Sequence, residues 1–328
     1  MVPEVLDQLD RRLIAALQCD GRLTVERAAR VLGLGTRVVN GRLTALLGGA
    51  ARVVAVPPRE RPGSTMLLRI KVLRGKLDTI TAALAARPDI AFIDLSAGGD
   101  EITAVLSADA GQRGRLVFRQ LPATTAITSV SAQTVLHVYA DATDWRLDAL
   151  TEAERRELTP AETSSRPAAE PRSSPLDREL VSALQSDARL TAAALAARTG
   201  HPESTVRRRL GALLRDRALI THVIVDPRRL GLEVDANLYF QVPPAQLDAV
   251  GHALAAHPAV HGVIALTGPA NLTAAVWLRE LEDLHGFITR DLASLSITSI
   301  ETVLVGRAVK RPGHTPGGDG PVRAIAGQ

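Results

Sequence analysis

The side chains best suited to chemistry lie in two arginine-bearing segments. The later one holds Ser204, Thr205, Arg207, Arg208 and Arg209 around Val206, Leu210 and Leu213, an apolar stripe at helical spacing. With that stripe buried, Ser204, Arg207, Arg208 and Gly211 point outward. The earlier segment holds Thr36, Arg37, Asn40, Gly41, Arg42 and Thr44 around Val39, Leu43 and Leu46. A guanidinium can bond both acceptors of a guanine edge, an amide matches adenine, and a hydroxyl suits a phosphate or a base. Arg42 and Arg209 hold the same place in their segments. They flank the stripe and suit a phosphate contact or a brace within the fold. The plain alternative is two solvated faces of structural helices.

Two glycine turns are the other candidates, Gly98 to Glu101 and Gly268 to Asn271. Each falls between two predicted strands. It is either a bare hairpin or a place where freed backbone amides face a small ligand. The histidines do not converge. His252 and His257 are five apart, off the same-face spacing of a helix, and His261 begins a strand. No metal site is expected. The single cysteine, Cys19, excludes a disulfide framework and a cysteine-based zinc site, and it reads as a packing residue. No phosphate loop, nucleophile motif or dinucleotide glycine pattern is present, so no catalytic residue and no cofactor are assigned.

The elements that position these residues occur twice. Residues 9–33 and 176–200 align without gaps at thirteen of 25 positions. The likeness continues through residues 83–90 and 253–260, and through the glycine turns. In the second copy, helices are expected over 176–187 and 192–199, with Thr191 as a cap and Gly200 as a stop. A third begins near Pro202 and ends near Asp216. A short strand pair then completes a winged helix-turn-helix. Strands at 233–242, 259–267, 271–279 and 296–309, with helices at 244–257 and 280–293, give a βαββαβ ferredoxin-like sheet. The first copy repeats the order. It is the weaker reader, because Gly35 stands where a helix cap is expected. Gly48 and Gly49 also loosen its helix end by about 1 kcal/mol each.

The fold class is therefore α+β, with two tandem units. The divisions are a winged helix-turn-helix (1–60), a ferredoxin-like domain (61–150), a mobile linker (151–175), a second winged helix-turn-helix (176–231), a second ferredoxin-like domain (232–310) and a disordered tail (311–328). The chain has 328 residues, 46% of them hydrophobic and 23% charged, which excludes a wholly disordered protein. Net charge is only +4, but the positive charge collects in residues 1–60 and 172–230, where a polyanion would be met. Aromatics are 2%, too few for a base-stacking platform. No apolar run reaches the roughly 18 residues of a membrane helix, and the opening residues do not form a signal peptide. A cytoplasmic protein without a membrane partner is expected.

Each copy resembles the Lrp/AsnC (feast/famine) transcription regulators. The carrying residues are Leu9-Asp10-Arg11 and Leu176-Asp177-Arg178, the Leu-Gln-X-Asp-X-Arg runs at 17–22 and 184–189, and Val39, Arg42, Leu43, Leu46 with Val206, Arg209, Leu210, Leu213. The resemblance implies double-stranded DNA as partner and an amino acid or other small molecule as effector. It places Gly98, Asp100, Glu101, Gly268 and Asn271 at the effector site. The usual acidic residues of that turn are replaced in the second copy by Pro269 and Asn271, and no aromatic stands between them. The resemblance also implies pairing of the two sheets, here as an intrachain pseudo-dimer; a higher homo-oligomer stays open. The expected function is a DNA-binding regulator rather than an enzyme. Two alternatives stand beside it. One is a siroheme-decarboxylase-like enzyme on the same fold, using His137, His252, His257 or His261. The other is a ligand-sensing interaction protein that does not bind DNA.

Overall fold

The computed structural model describes residues 4–56, 65–73, 75–107, 110–159, 174–216 and 218–311. Residues 160–173 of the expected linker and the tail beyond Arg311 lie outside the described residues. The first copy runs α1 (Gln8–Cys19), α2 (Val25–Leu32), α3 (Thr36–Ala45), β1 (Ala51–Val56), β2 (Thr65–Val72), α4 (Leu77–Ala85), β3 (Ile90–Ser96), β4 (Glu101–Ser107), α5 (Ala110–Arg115) and β5 (Ile127–Ala140). Helix α6 (Glu152–Leu158) follows. The second copy runs α7 (Pro175–Ser186), α8 (Ala192–Thr199), α9 (Glu203–Arg215), β6 (Ile220–Val225), β7 (Val234–Gln241), α10 (Leu247–Ala255), β8 (Val260–Leu266), β9 (Leu272–Leu278), α11 (Leu281–Gly286) and β10 (Ser299–Lys310).

These elements make two compact units, one with both three-helix heads and one with both sheets. In the first, local chemistry sets the helix starts. Asp7 and Thr24 accept backbone N–H bonds from Asp10 and Arg27 at the heads of α1 and α2. Ser174 and Asp177 form a reciprocal capping box on α7, with Pro175 in its first turn. Buried stripes hold each head together: Leu13, Ile14, Leu17, Leu32, Val39 and Leu43 in one, and Leu180, Leu184, Leu195, Val206 and Leu210 in the other.

The strand pair expected within each head is a correction. Among the described residues each head supplies one strand, and β1 pairs antiparallel with β6 from Ala51 opposite Val225 to Val56 opposite Ile220. A lone strand leaves its N–H and C=O groups without partners, and the other head supplies them. Two arginines at the same place in the repeat reinforce this join. Arg22 donates to the carbonyls of Ala188 and Leu190, the latter at 2.9 Å. Arg189 donates to those of Gly21 (2.7 Å) and Leu23 (3.0 Å). The backbones approach so closely that a Cβ on Gly21 would lie 2.6 Å from that of Thr221. Helix α6 docks on the first head. Its Leu158 is fully buried, Glu154 meets Arg12 at 2.6 Å, and Glu157 meets Arg30 at 2.7 Å.

In the second unit each copy forms a βαββαβ sheet, in the orders β3-β4-β2-β5 and β8-β9-β7-β10. Strand β5 pairs with β8, and β10 pairs with β3, so eight strands close into a barrel. One core packs Leu68, Ile70, Ile93 and Ile102 with Leu84 and Leu116. The other packs Leu238, Phe240, Val263 and Leu272 with Leu254 and Phe287. Leu67, Val135, Tyr239 and Leu266 form a separate cluster drawn from both sheets.

A polar network lies at the β10–β3 seam. Arg311 meets Asp94 at 2.6 Å and Asp235 at 3.7 Å, and its guanidinium lies 4.1 Å over the Phe92 ring. Burial and the nearby Asp235 push Asp94 up to about 6, against the pull of Arg311. Asp235 stays low despite its burial, held down by His261 and Arg311.

Two outcomes follow for stability. Arg22→Ala and Arg189→Ala each remove bonds from a charged donor to backbone carbonyls, and each should cost about 1–3 kcal/mol in urea unfolding. If neither variant shifts the transition midpoint, the arginines do not hold the heads together. For Asp94, the folded pKa exceeds the ordinary value, so its proton favours the folded state. That stabilisation is complete below about pH 4 and fades as pH rises through about 6. Asp94→Asn should remove this contribution, and an unchanged pH 4–6 slope in the variant would refute the assignment.

Candidate functional site

The third helix of each head presents a polar face opposite its buried stripe. On α3, Val39 and Leu43 are buried while Thr36, Arg37, Asn40, Gly41 and Thr44 are exposed. On α9, Val206, Leu210 and Leu213 are buried while Ser204, Arg207 and Arg208 are exposed and Thr205 is half-buried. Gly35 caps α3 without a side-chain bond, and a wider turn over Leu46–Ala50 follows the helix. Arg37 and Arg208 have no ion pair among the described residues. Arg207 is paired with Glu203 one turn earlier.

Arg42 and Arg209 are half-buried and face carboxylates. Arg42 meets Asp7 at 2.7 Å and Asp10 at 3.2 Å. Arg209 forks onto Asp177, whose side chain is almost wholly buried. Burial would raise the Asp177 pKa, but Arg209 and Ser174 hold it below the usual carboxylate range. Asp10 and Asp177 are the acids of the repeated Leu-Asp-Arg signature. The same ion pair therefore ties the first helix to the third in each head, and it fixes the angle at which the exposed face is offered. The repeat contains this pairing: both partners recur at a single offset, a signal the sequence reading did not use.

The glycine turns are built differently from each other. In the first, Ser96 Oγ accepts from the backbone of Asp100 and Glu101 and donates to Asp100 Oδ1 (3.1 Å). Gly98 and Asp100 are exposed, whereas Glu101 is buried. Glu101 takes two bonds from Arg69, at 2.7 and 3.0 Å. Arg69 also forks onto Glu301 and lies 4.1 Å over the Tyr239 ring. Burial works against the Arg69 charge, but Glu301 and Glu101 raise its pKa.

In the second turn Gly268 has φ +101°, a conformation side chains rarely adopt. Gln133 fills the space beneath it and donates to the carbonyls of Thr267 (2.7 Å) and Ala270 (3.0 Å). Asn271 closes the neighbouring strands by exchanging two bonds with the Val242 backbone, at 2.8 and 2.9 Å. A cleft of about 240 Å³ opens here, lined by Tyr239, Gln241, Pro269, Ala270, Ser299 and Glu301 among others. Burial pushes Tyr239 up to about 12, so its hydroxyl stays protonated at neutral pH. Gly98, Asp100, Gly268 and Asn271 do not line the cleft, although Pro269 and Ala270 between the last two do. Glu101 reaches it only through Arg69 and Glu301. Arg69, Gln133, Tyr239 and Glu301 carried no motif, and the sequence reading missed them.

Two of the four candidate histidines share a neighbour. His137 and His252 lie edge-on to Tyr139, at 4.5 and 5.1 Å between ring centroids. His257 meets Asp291 at 3.3 Å. His261 stacks on Trp277 at 3.7 Å and is fully buried, which lowers its pKa. Cys19 is half-buried, and burial pushes its thiol up, away from the reactive thiolate.

Comparison with known proteins fits this geometry. The AsnC-type helix-turn-helix domain matches residues 6–47 and 175–214, and the Lrp/AsnC ligand binding domain matches residues 239–314. An uncharacterized HTH-type transcriptional regulator of Pyrococcus abyssi is 30% identical over 141 residues, covering 42% of this chain and 89% of the relative. Its counterpart in Pyrococcus horikoshii is 29% identical over the same length and coverage. The crystal structure of the siroheme decarboxylase NirDL shares the fold with a TM-score of 0.59 at 15% identity, covering 93% of each chain. The fold and the two heads define a tandem helix-turn-helix protein with paired ferredoxin-like sheets. The chain belongs to the Lrp/AsnC family of transcription regulators.

The bracing pair is open to test. Asp177→Asn leaves the Arg209 charge without its partner and should cost about 1–3 kcal/mol of stability, read as a lower thermal midpoint. Because the Asp177 pKa is depressed, this stabilisation is present above the ordinary carboxylate value and is lost as pH falls through the folded one. A variant that melts like the parent at pH 7 would show that the pair does not brace the head.

Proposed function

We propose that this protein is a sequence-specific DNA-binding regulator that works as an intrachain pseudo-dimer. The observation that carries the reading is the pair of exposed polar helix faces, α3 and α9, on heads joined by reciprocal arginine bonds and a shared two-stranded sheet. In a helix-turn-helix the N-terminal half of the third helix enters the major groove. Arg37, Asn40, Arg207 and Arg208 then meet base edges. Thr36, Ser204 and Thr205 meet phosphate or base. Arg42 and Arg209 act through their carboxylate partners. Linking both copies in one chain raises their effective concentration to about millimolar, so pairing does not wait for a second chain.

The effector reading places a small molecule such as an amino acid at the glycine turns, with Gly98, Asp100, Glu101, Gly268 and Asn271 as its residues. The cleft beside Pro269 and Ala270 supports the second turn. No described helix is long and apolar enough to cross a membrane, which fits a protein that meets DNA in the cytoplasm.

A second reading, an enzyme acting on siroheme, is favoured by one observation. The two-copy fold matches NirDL over nearly the whole of both chains. Titration with siroheme separates the two: a saturable change in the tetrapyrrole absorption band supports the enzyme.

The direct test is fluorescence anisotropy on duplex DNA from upstream of the protein's own gene, against a random duplex, at three salt concentrations. A roughly thousandfold preference with a negative salt slope is expected. Arg207→Ala and Arg208→Ala should each weaken specific binding by about 1–3 kcal/mol while sparing the random duplex. If neither duplex binds at any salt, the DNA reading fails.

A further inference from the structure

The two recognition faces differ at the four outward positions suited to reaching a base. Aligned by the repeat, Arg37 corresponds to Ser204, Asn40 to Arg207, Gly41 to Arg208 and Thr44 to Gly211. Yet both faces are set by the same scaffold. Val39 and Val206 are buried at the same point, and Arg42 and Arg209 hold the equivalent carboxylates Asp10 and Asp177. Each side chain on one head is therefore offered at the depth and angle of its counterpart on the other, and only the chemistry differs.

On α9, Arg208 is exposed and has no ion pair among the described residues, so both of its donors on one edge of the fork are available for guanine O6 and N7. Arg207 is held by Glu203. That places a carboxylate acceptor beside a guanidinium at the groove-entering end of the helix. A carboxylate accepts from cytosine N4, and the adjoining guanidinium suits a guanine. On α3 the position of Arg208 is Gly41, which has no side chain to reach a guanine. The position of Arg207 is Asn40, whose amide matches the N6 and N7 pair of adenine. Thr44, where α9 has Gly211, offers a methyl group to a thymine methyl.

We propose that the two heads read unlike half-sites, α9 a G·C-rich one through Arg208 and the Glu203–Arg207 pair, and α3 an A·T-containing one through Asn40 and Thr44. The inference rests on the DNA-binding reading above and adds to it the base chemistry of each half. The operator is then directional: the protein sits on it in one orientation. A partner made of two identical chains would require a palindrome, because both of its faces would be the same.

The test is selection of binding sites from a randomised duplex library with the full-length protein, followed by anisotropy on the enriched site. The expected site has one half in which guanine is required and another in which adenine is required, centred about one helical turn or a multiple apart. Arg208→Ala should lose the preference for guanine in its half, by about 5- to 150-fold, and leave the adenine half unchanged. Asn40→Ala should do the reverse. A measurement on the unaltered protein guards against a variant that misfolds. Replacing guanine by 7-deazaguanine in the α9 half removes only the N7 acceptor there and should weaken binding, and 7-deazaadenine should do the same in the α3 half. An enriched palindrome, or a variant that relaxes both halves alike, overturns the inference while leaving DNA binding standing. A library from which no sequence is enriched overturns both.

Discussion

An unpaired strand edge is the constraint on which this structure turns. A four-stranded βαββαβ sheet ends in two rows of N–H and C=O groups with nothing to bond. The chain carries two such sheets and joins β5 to β8 and β10 to β3, so that no edge remains in the barrel. The heads face the same problem on a smaller scale. Each contributes one described strand, and β1 and β6 satisfy one another. In both units the cure for an open edge is the other copy of the repeat. Duplication and closure are thus one physical fact: the second copy supplies the hydrogen bonds that the first lacks.

Within that shared frame the copies have diverged where packing does not forbid it. The pairs that set geometry recur, Arg22 with Arg189 and Asp10–Arg42 with Asp177–Arg209. The groups that would meet a partner do not. Asn40 stands against Arg207, and the Ser96-capped turn stands against the turn supported by Gln133. Burial explains the split. A half-buried arginine that loses its acceptors leaves a partly desolvated charge unpaired, whereas an exposed side chain on a helix face can change at little cost to the fold.

Much of this architecture was legible in the sequence because its signals are local. The cap at Thr191, the stop at Gly200 and the period of Val206, Leu210 and Leu213 each act within a few residues, and the elements fall where they indicate. The alternation of strands and helices gave the order of each sheet. The family resemblance implied that the two sheets pair, but which strands meet across long separations could not be read from spacing. The wing strand was expected to find its partner inside its own head, because a short-range hairpin is the default for adjacent strands. Its partner lies far along the chain. The Arg69 network failed to stand out for the same reason. Arg69, Glu101, Tyr239 and Glu301 come from four strands and share no spacing. The exposed helix faces were legible as residues, since the buried stripe defines what points outward. The side chains that tether them were legible only as a choice between phosphate contact and brace.

The covalent join between the copies also bears on inheritance. Separate subunits exchange, so an altered subunit is shared out among intact ones and yields hybrids of graded activity. Here the strands that would mediate such exchange are already bonded to each other inside a single polypeptide. A lesion in one head therefore always sits beside an intact companion in the same polypeptide, at a fixed ratio of one to one.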